Sequence, residues 1–417
     1  MSLPSDRVAA VDTRSRCMRM AAVFGPGLVV MLADTDAGSI ITAAQSGAEW
    51  GYHLLLLQLV LVPILYIVQE LTVRLGVISQ RGHAELIRDH YGRGWAWLSV
   101  GTLILACIGA LLSELSGLAG VGLLFGVPAW LTMTLVVVGL TAMAYTGSYL
   151  SVERIAMGIG AFELVFLIVA WRAKPDAAAL TVGALAMPWH EPKYLYLVAA
   201  NIGAVIMPWM VFYQQSAVVE KKLVPADLAA ARWDTAIGAV VTQVIMAAVL
   251  VAAAATLGAS SRHAALDTVQ QIAQAIIPFV GPETGRVLFG LGMTGSALVA
   301  TIVVTLTAAR TLSEVLGLKH SLEHAPSEAP WFYGFYTVSL AAGGLLVASG
   351  VNLVSLSIGV QVMNALLLPI VLGFLYLLAR RLPGPYRLRG GYAVVVALVI
   401  LLTVGFGLYS GLAGVAG

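Results

Sequence analysis

Long apolar runs separated by short polar segments dominate the chain. Apolar stretches of about 20 residues are long enough to cross a bilayer as helices, and the pattern predicts eleven of them. Their predicted centres are Asp36, Pro63, Ala110, Val137, Val165, Ala204, Ala247, Val299, Leu340, Leu366 and Leu402. The predicted fold class is an all-α polytopic membrane protein with eleven transmembrane helices.

Two of these spans contain interruptions that do not suit a continuous membrane helix. One interruption lies in 33–39 of the first span, and the other lies in 204–209 of the sixth span. Broken helices are tolerated at bilayer depth only where protein or a water-filled cavity receives the free backbone groups. Breaks five spans apart are typical of transporters with two inverted five-helix repeats, which bind substrate between the repeats. We therefore expect two inverted repeats with broken helices 1 and 6 and a substrate site at the breaks.

The predicted organisation has four segments and no soluble domain. They are a cytoplasmic N-terminal tail at 1–20, a first five-helix repeat at 21–175, a second repeat at 190–380 and a peripheral eleventh helix at 388–417.

Composition and charge agree with a membrane location. Only 11% of the residues are charged and the mean hydropathy is +0.91, whereas soluble domains have roughly 25% charged residues. With the N-terminus inside, 17 Lys and Arg residues fall on the inner side and five on the outer side. Because cytoplasmic loops carry the excess of positive charge, we predict a multi-pass protein of the plasma (inner) membrane. Its N-terminus is predicted to be cytoplasmic and its C-terminus outside.

Carboxylates at membrane depth are the first candidates for chemistry. A charged side chain at the bilayer centre costs roughly 2.5–3.5 kcal/mol by insertion scales, so Asp36 needs a compensating partner. It either binds a cation or caps the second half-helix through Gly38 and Ser39. Asp34 fits a charge on the access path or a cap at least as well as a ligand. Glu114, on the third span, requires an interior face.

The second break offers a different set of donors. Pro208 has no backbone N–H and therefore helps to free the carbonyl of Ala204. The thioether of Met207 either packs in the interior or binds a transition metal, since soft ligands favour such ions.

Several function classes lack support in the sequence. There is no phosphate-cradling Gly-Lys-Ser/Thr loop for ATP-driven pumping. None of the seven histidines lies at the centre of a predicted span, which argues against a histidine proton relay. We predict a protein that is not an enzyme, has no covalently bound cofactor or nucleic-acid partner, and functions as a monomer in the lipid bilayer.

Short motifs at both breaks resemble those of a known family. The first span contains Gly25-Pro26, then 36–39 reading Asp-Ala-Gly-Ser, then 45–52 reading Gln-Ser-Gly-Ala-Glu-Trp-Gly-Tyr. The sixth span reads Gly-Ala-Val-Ile-Met-Pro-Trp at 203–209. These motifs and the eleven-span pattern resemble the Nramp superfamily of divalent-metal transporters, whose breaks usually read Asp-Pro-Gly-Asn and Met-Pro-His.

The resemblance implies a set of metal ligands. Asp36 matches the ligand aspartate, Met207 the selective methionine, and Ser39 replaces an asparagine ligand, which leaves space for water. The implied donors at the breaks or facing them are Asp36, Ser39, Ala204, Met207, Gln361 and Ala33. Within this set, Gln361 is implied to reach the ion in occluded states.

Departures from the family concern its proton pathway. The two sixth-helix histidines of the family appear here as Trp209 and Gln214, and its third-helix aspartate, near the retained Glu114, appears as Leu111. The ninth-helix arginine is not evident within 331–340. The combination resembles the prokaryotic Nramp-related magnesium transporters, in which proton coupling is lost and a roomier site accepts a partly hydrated ion.

The sequence therefore predicts a divalent-metal carrier for Mg²⁺, with Mn²⁺ as a second substrate, that works by alternating access without proton coupling. Mg²⁺ commonly uses one or two carboxylates plus water, which Asp36, Glu114 and a small Ser39 would provide. The nearest alternative is a proton-coupled Mn²⁺/Fe²⁺ importer, supported by Met207. A non-transporting membrane sensor and a sodium-coupled amino-acid carrier are alternatives from other classes, although Asp36 would repel a carboxylate substrate.

Overall fold

The protein is a bundle of membrane-spanning helices. The computed structural model describes residues 25–146, 149–257, 268–276, 281–319, 324–350 and 353–416, together with residues 23, 266, 321 and 322. Within that part of the chain the secondary structure is helical, without strands. The predicted N-terminal tail lies outside the described residues.

Among the described residues, ten helices are long and apolar enough to cross a membrane, and a bent pair of helices makes an eleventh span. In chain order they are span 1 (Pro26–Asp34 with Ala37–Trp50), span 2 (Leu55–Ser79), span 3 (Arg93–Leu124), span 4 (Ala129–Thr146), span 5 (Arg154–Ala173), span 6 (Pro192–Glu220), span 7 (Pro225–Thr256), span 8 (Pro282–Leu316), span 9 (Pro330–Ala348), span 10 (Val354–Ala379) and span 11 (Gly390–Ala416). Each predicted centre falls within its span, so the eleven-helix prediction is confirmed.

Both predicted breaks are present. Half-helix 1a (Pro26–Asp34) and half-helix 1b (Ala37–Trp50) are bent by 48° at Thr35 and Asp36. Half-helix 6a (Pro192–Val205) ends before Ile206, and half-helix 6b (Pro208–Glu220) begins at the proline. The residue before a proline is pushed out of the helical region, and Met207 accordingly has extended angles, φ −90° and ψ 140°.

The two repeats pack on each other through counterpart spans. Span 2 packs on span 7, span 3 on span 8 and span 4 on span 9. At the centre, half-helix 1b lies against 6a and half-helix 1a lies against 6b. Span 11 packs outside this core on half-helix 6a and span 10. The predicted arrangement of two five-helix repeats with a peripheral eleventh helix is thus confirmed, and both breaks lie at its centre.

In the described connections, three shorter helices join the spans. His83–Tyr91 lies between spans 2 and 3, Ala177–Leu185 between spans 5 and 6, and Val269–Ile276 between spans 7 and 8. His83 is buried and its Nδ1 pairs with Gln215 Oε1 at 2.9 Å. Burial lowers the pKa of His83 to about 4, so this connection adds no positive charge from His83 near neutral pH.

Close backbone packing holds span 10 against the second break. A Cβ atom on Gly203 would collide with the backbone carbonyl oxygen of Gln361 and lie 2.8 Å from the backbone nitrogen of Ala365. Backbone groups cannot move aside as a flexible side chain can, so only glycine fits at position 203. A Cβ atom on Gly373, farther along span 10, would have no neighbouring atom within 4 Å among the described residues.

We expect Gly203→Ala to destabilise the protein by about 1–3 kcal/mol, the usual cost of overpacking a close-packed interior. Thermal unfolding in detergent, followed by the loss of monodisperse protein on size exclusion, measures the effect. Gly373→Ala is the matched control and should unfold at the same temperature as the unmodified chain or slightly above it, because alanine favours the helix and meets no neighbouring atom there. Equal unfolding temperatures for both variants would contradict the close approach of spans 6 and 10.

Candidate metal site

Asp36 uses one carboxylate oxygen to cap a helix and leaves the other without a hydrogen-bond partner in the part of the chain that the structure describes. Its backbone is extended at the start of half-helix 1b, and Oδ1 accepts a hydrogen bond from the amide of Ser39 at 2.6 Å. The other oxygen, Oδ2, has no hydrogen-bond partner among the described residues, and the side chain is fully buried. The capping role is therefore present, and one carboxylate oxygen remains available to a ligand.

Glu114 reaches the same half-helix from span 3. Its Oε2 accepts a hydrogen bond from the amide of Ala37 at 2.9 Å, whereas a continuous helix would direct that amide to the carbonyl of Ala33, four residues earlier. Glu114 thus stabilises the break and deprives Ala33 of its helical donor. Like Asp36, Glu114 is buried and keeps one oxygen, Oε1, without a partner in the described part of the chain.

A hydroxyl links the two breaks. Pro208 lacks the N–H that would otherwise bond to the carbonyl of Ala204, and the hydroxyl of Ser39 donates to that carbonyl at 3.1 Å. The resemblance implies both Ser39 and Ala204 as metal ligands. The structure brings them together as a hydrogen-bonded pair that joins half-helix 1b to half-helix 6a.

Gln361 projects from span 10 toward the first break. Its amide nitrogen lies so close to Gly38 that a Cβ atom there would collide with it. Its Oε1 accepts a hydrogen bond from Asn364 Nδ2 at 2.9 Å, while Nε2 has no partner among the described groups. Because O and N of a glutamine amide are assigned from the hydrogen-bond network, a rotation of this amide would present its oxygen to the break.

Met207 does not have a free thioether. The indole Nε1–H of Trp209 donates to Met207 Sδ at 3.2 Å, and both side chains are fully buried. Sulfur is a weak acceptor, but the Met207 sulfur is the acceptor that the indole N–H of Trp209 contacts in this structure.

The other positions implied by the resemblance are occupied by interhelical packing. Gln214 donates to the hydroxyl of Thr235 on span 7 at 3.1 Å. Leu111 packs toward Gly343 of span 9, and the sequence of span 9 contains no charged residue. Neither Leu111 nor Gln214 titrates near neutral pH.

The structure adds a carboxylate that the sequence reasoning missed. Glu163 lies in a 3₁₀ turn, Ala161–Leu164, within span 5. It is fully buried beside Thr35, and its charge interacts with those of Asp34 and Asp36. All four carboxylate oxygens of Asp34 and Glu163 lack partners within the described ranges. Glu163 lies two residues before Val165, the predicted centre of the fifth span. An acid at that position of an apolar span was the sequence signal for this residue.

Together these groups form an enclosed set of oxygen donors. Asp36 lies beside the side chains of Glu114 and Gln361, and the residues of the set are at most 1% exposed. In the described part of the chain, no group of three or more His, Cys, Asp or Glu side chains is arranged to hold a metal. A cation bound here would therefore combine two carboxylates with carbonyl, amide or water oxygens.

Comparison with known proteins decides the family. The family described as natural resistance-associated macrophage protein-like (Nramp) matches residues 27–413. The chain belongs to the Nramp family of divalent-metal transporters. This Nramp chain is 30% identical over 322 residues to the divalent metal cation transporter MntH of Xanthomonas campestris pv. campestris, covering 72% of this chain and 70% of that protein. It is 28% identical over 319 residues to MntH of Xylella fastidiosa, where it spans 66% of the relative's length.

Solved structures share the fold of this Nramp protein. A manganese transporter of Eremococcus coleocola, in complex with an aromatic bis-isothiourea compound, aligns with a TM-score of 0.76 at 20% identity and covers 96% of this chain and 87% of that chain. MhsT in complex with L-phenylalanine aligns with a TM-score of 0.61 at 13% identity. The alignment covers 94% of this chain and 98% of that chain. The fold is therefore common to proteins observed with different ligands.

We expect Ser39→Ala to lower the stability of the metal-free protein by about 1–3 kcal/mol, because the buried carbonyl of Ala204 loses its donor. Differential scanning fluorimetry in detergent measures the change. The control is Ser313→Ala, since the buried Ser313 hydroxyl bonds to the Ala309 carbonyl of its own helix, at 2.8 Å. A shift no larger than that of the control would show that the link between the breaks is not significant for stability.

Proposed function

We propose that this chain carries Mg²⁺ across the membrane by alternating access between the two broken spans, with Mn²⁺ as a second substrate and without proton coupling. The observation that carries the proposal is the pair of buried carboxylates, Asp36 and Glu114, each with one oxygen committed to half-helix 1b and one without a partner among the described residues. Mg²⁺ prefers oxygen ligands and commonly combines one or two carboxylates with retained water.

The donor set supports a hard ion over a soft one. Carboxylate, carbonyl and water ligands suit Mg²⁺ and Mn²⁺, whereas thioether ligands select softer metals. The one thioether at the breaks in the described residues, Met207, accepts a hydrogen bond from Trp209. Sulfur is therefore a poor competitor for the oxygen donors at this site.

The loss of titratable groups at three positions of the expected proton route supports uncoupled transport, and Glu114 is the acid that the route retains. The positions implied for proton transfer hold Trp209, Gln214 and Leu111, whose side chains exchange no proton near neutral pH. Uptake would then be driven by the concentration gradient and by the membrane potential, which supplies about 2.3 kcal/mol per charge per 100 mV.

A proton-coupled importer of Mn²⁺ or Fe²⁺ is the second candidate. Met207 at the second break favours it, and the relatives named above include a manganese transporter. Glu163 and Asp34 form an additional pair of buried acids on the side of span 5, and in this candidate the pair is a second site for a coupled proton. Flux measurements with the pH of the lumen monitored separate the two candidates.

Asp36→Asn is expected to reduce Mg²⁺ and Mn²⁺ flux at least about tenfold. The reason is the loss of a charged partner for the ion, since interactions with charged groups contribute about 1.5–3 kcal/mol. Asparagine still caps a helix, so the variant separates charge from folding. Uptake into proteoliposomes is the measurement. The control is Asp176→Asn, which makes the same change at the exposed Asp176 that caps Ala177–Leu185. Undiminished flux in the Asp36 variant would remove that residue from the site.

Proton coupling is tested with the membrane potential clamped. A Mg²⁺ or Mn²⁺ gradient imposed on proteoliposomes should drive metal inward without acidifying the lumen, and an inward proton gradient should not accelerate uptake. Liposomes that contain the Asp36→Asn variant provide the control for leakage. Metal-dependent acidification would favour the proton-coupled candidate, and Glu163→Gln would then test whether the acids beside span 5 carry the proton. Absence of any metal flux from well-folded protein would contradict both candidates and favour a sensor or a carrier of another substrate.

A further inference from the structure

Trp209 and Met207 form a contact at the second break, and the proposed function gives the indole of Trp209 no role in selectivity. The two residues flank Pro208, and the indole nitrogen lies 3.2 Å from the thioether sulfur. Both side chains are fully buried. A buried indole N–H is a donor that needs an acceptor, and its acceptor here is the one soft atom at the break in the described residues.

This contact changes what the sulfur can do. A thioether binds a metal through a lone pair directed at the ion, so a hydrogen bond to the same atom competes for electron density and fixes the orientation of the Met207 side chain. The extended backbone of Met207 and the rigid ring of Pro208 restrict the backbone between Met207 and Trp209. This restriction favours the contact between the thioether and the indole. The hydrogen bond is therefore built into the break.

We propose that Trp209 is a specificity-determining positioning residue, which holds the Met207 thioether in a hydrogen bond and so disfavours soft divalent metals relative to Mg²⁺. The proposal rests on the proposed function, because it assumes that a divalent cation binds at the breaks. It goes beyond that function by assigning the discrimination between hard and soft ions to a residue that does not touch the ion.

The opposite effect of the same contact is also testable. If a second lone pair of the sulfur faced the ion, the indole would orient the thioether for ligation. Removing the donor would then weaken the binding of soft metals, whereas the proposal requires that it strengthen their binding.

The experiment compares Cd²⁺, a soft probe, with Mg²⁺ by isothermal titration of the purified full chain in detergent. Trp209→Phe keeps an aromatic ring and removes the donor. It should raise the ratio of Cd²⁺ to Mg²⁺ affinity roughly fivefold, the factor that corresponds to one hydrogen bond of ordinary net strength. An unchanged or lowered ratio would overturn the proposal.

A double-mutant cycle links the effect to sulfur. In a Met207→Leu background, Trp209→Phe should leave the ratio unchanged, because no thioether remains to be released. In a Met210→Leu background it should still raise the ratio, since Met210 is an equally buried methionine of the same half-helix and the indole donates to Met207 instead. An equal effect in both backgrounds would mean that Trp209 acts through packing, which contradicts the proposal.

An alternative variant and a spectroscopic measurement complete the test. If Trp209→Phe does not fold, Trp209→Leu also removes the indole donor and takes the place of Trp209→Phe in the double-mutant cycle. X-ray absorption at the cadmium edge should reveal a sulfur neighbour in the variant and only oxygen or nitrogen neighbours in the unmodified chain. Failure of the unmodified chain to bind either ion would contradict the proposed function, whereas normal Mg²⁺ binding without the shift would contradict the role of Trp209 alone.

Discussion

The unpaired amide groups at the start of half-helix 1b are the feature on which the candidate site depends. A helix N-terminus leaves several N–H groups without intrahelical partners and carries partial positive charge that stabilises nearby anions. Asp36 and Glu114 satisfy the amides of Ser39 and Ala37 with one oxygen each. The break therefore accounts for the presence of two carboxylates at membrane depth, and each retains an oxygen without a hydrogen-bond partner among the described residues.

Close packing holds the remaining donors around this terminus. Gly38 lets the amide of Gln361 approach half-helix 1b, and Gly203 lets the backbone of span 10 approach half-helix 6a. The hydroxyl of Ser39 then ties 1b to 6a through the carbonyl of Ala204. All of these groups are buried, so the contacts enclose the candidate site in this structure.

Sequence reasoning succeeded where the local chain dictates the structure. Apolar length predicted the eleven spans, and the residues at 34–36 and at 207–208 located the breaks. It did not reveal the bonds from Ser39 to Ala204 and from Trp209 to Met207, because each depends on how side chains orient after the spans pack. Glu163 was missed because span 5 has no proline or paired aspartate to mark its 3₁₀ turn, and a single acid in an apolar run does not show which neighbour it faces.

The charge around the first break limits the ligands that this fold can accept here. MhsT, with the same fold, is observed in complex with L-phenylalanine, so the fold does not by itself select a metal. In this chain four buried acids, Asp34, Asp36, Glu114 and Glu163, lie at the first break, and among the described residues no cationic side chain neutralises them. An unpaired buried charge is costly, and a substrate carboxylate would add to that cost. In the proposed function a divalent cation offsets that cost, because it places two positive charges among these acids.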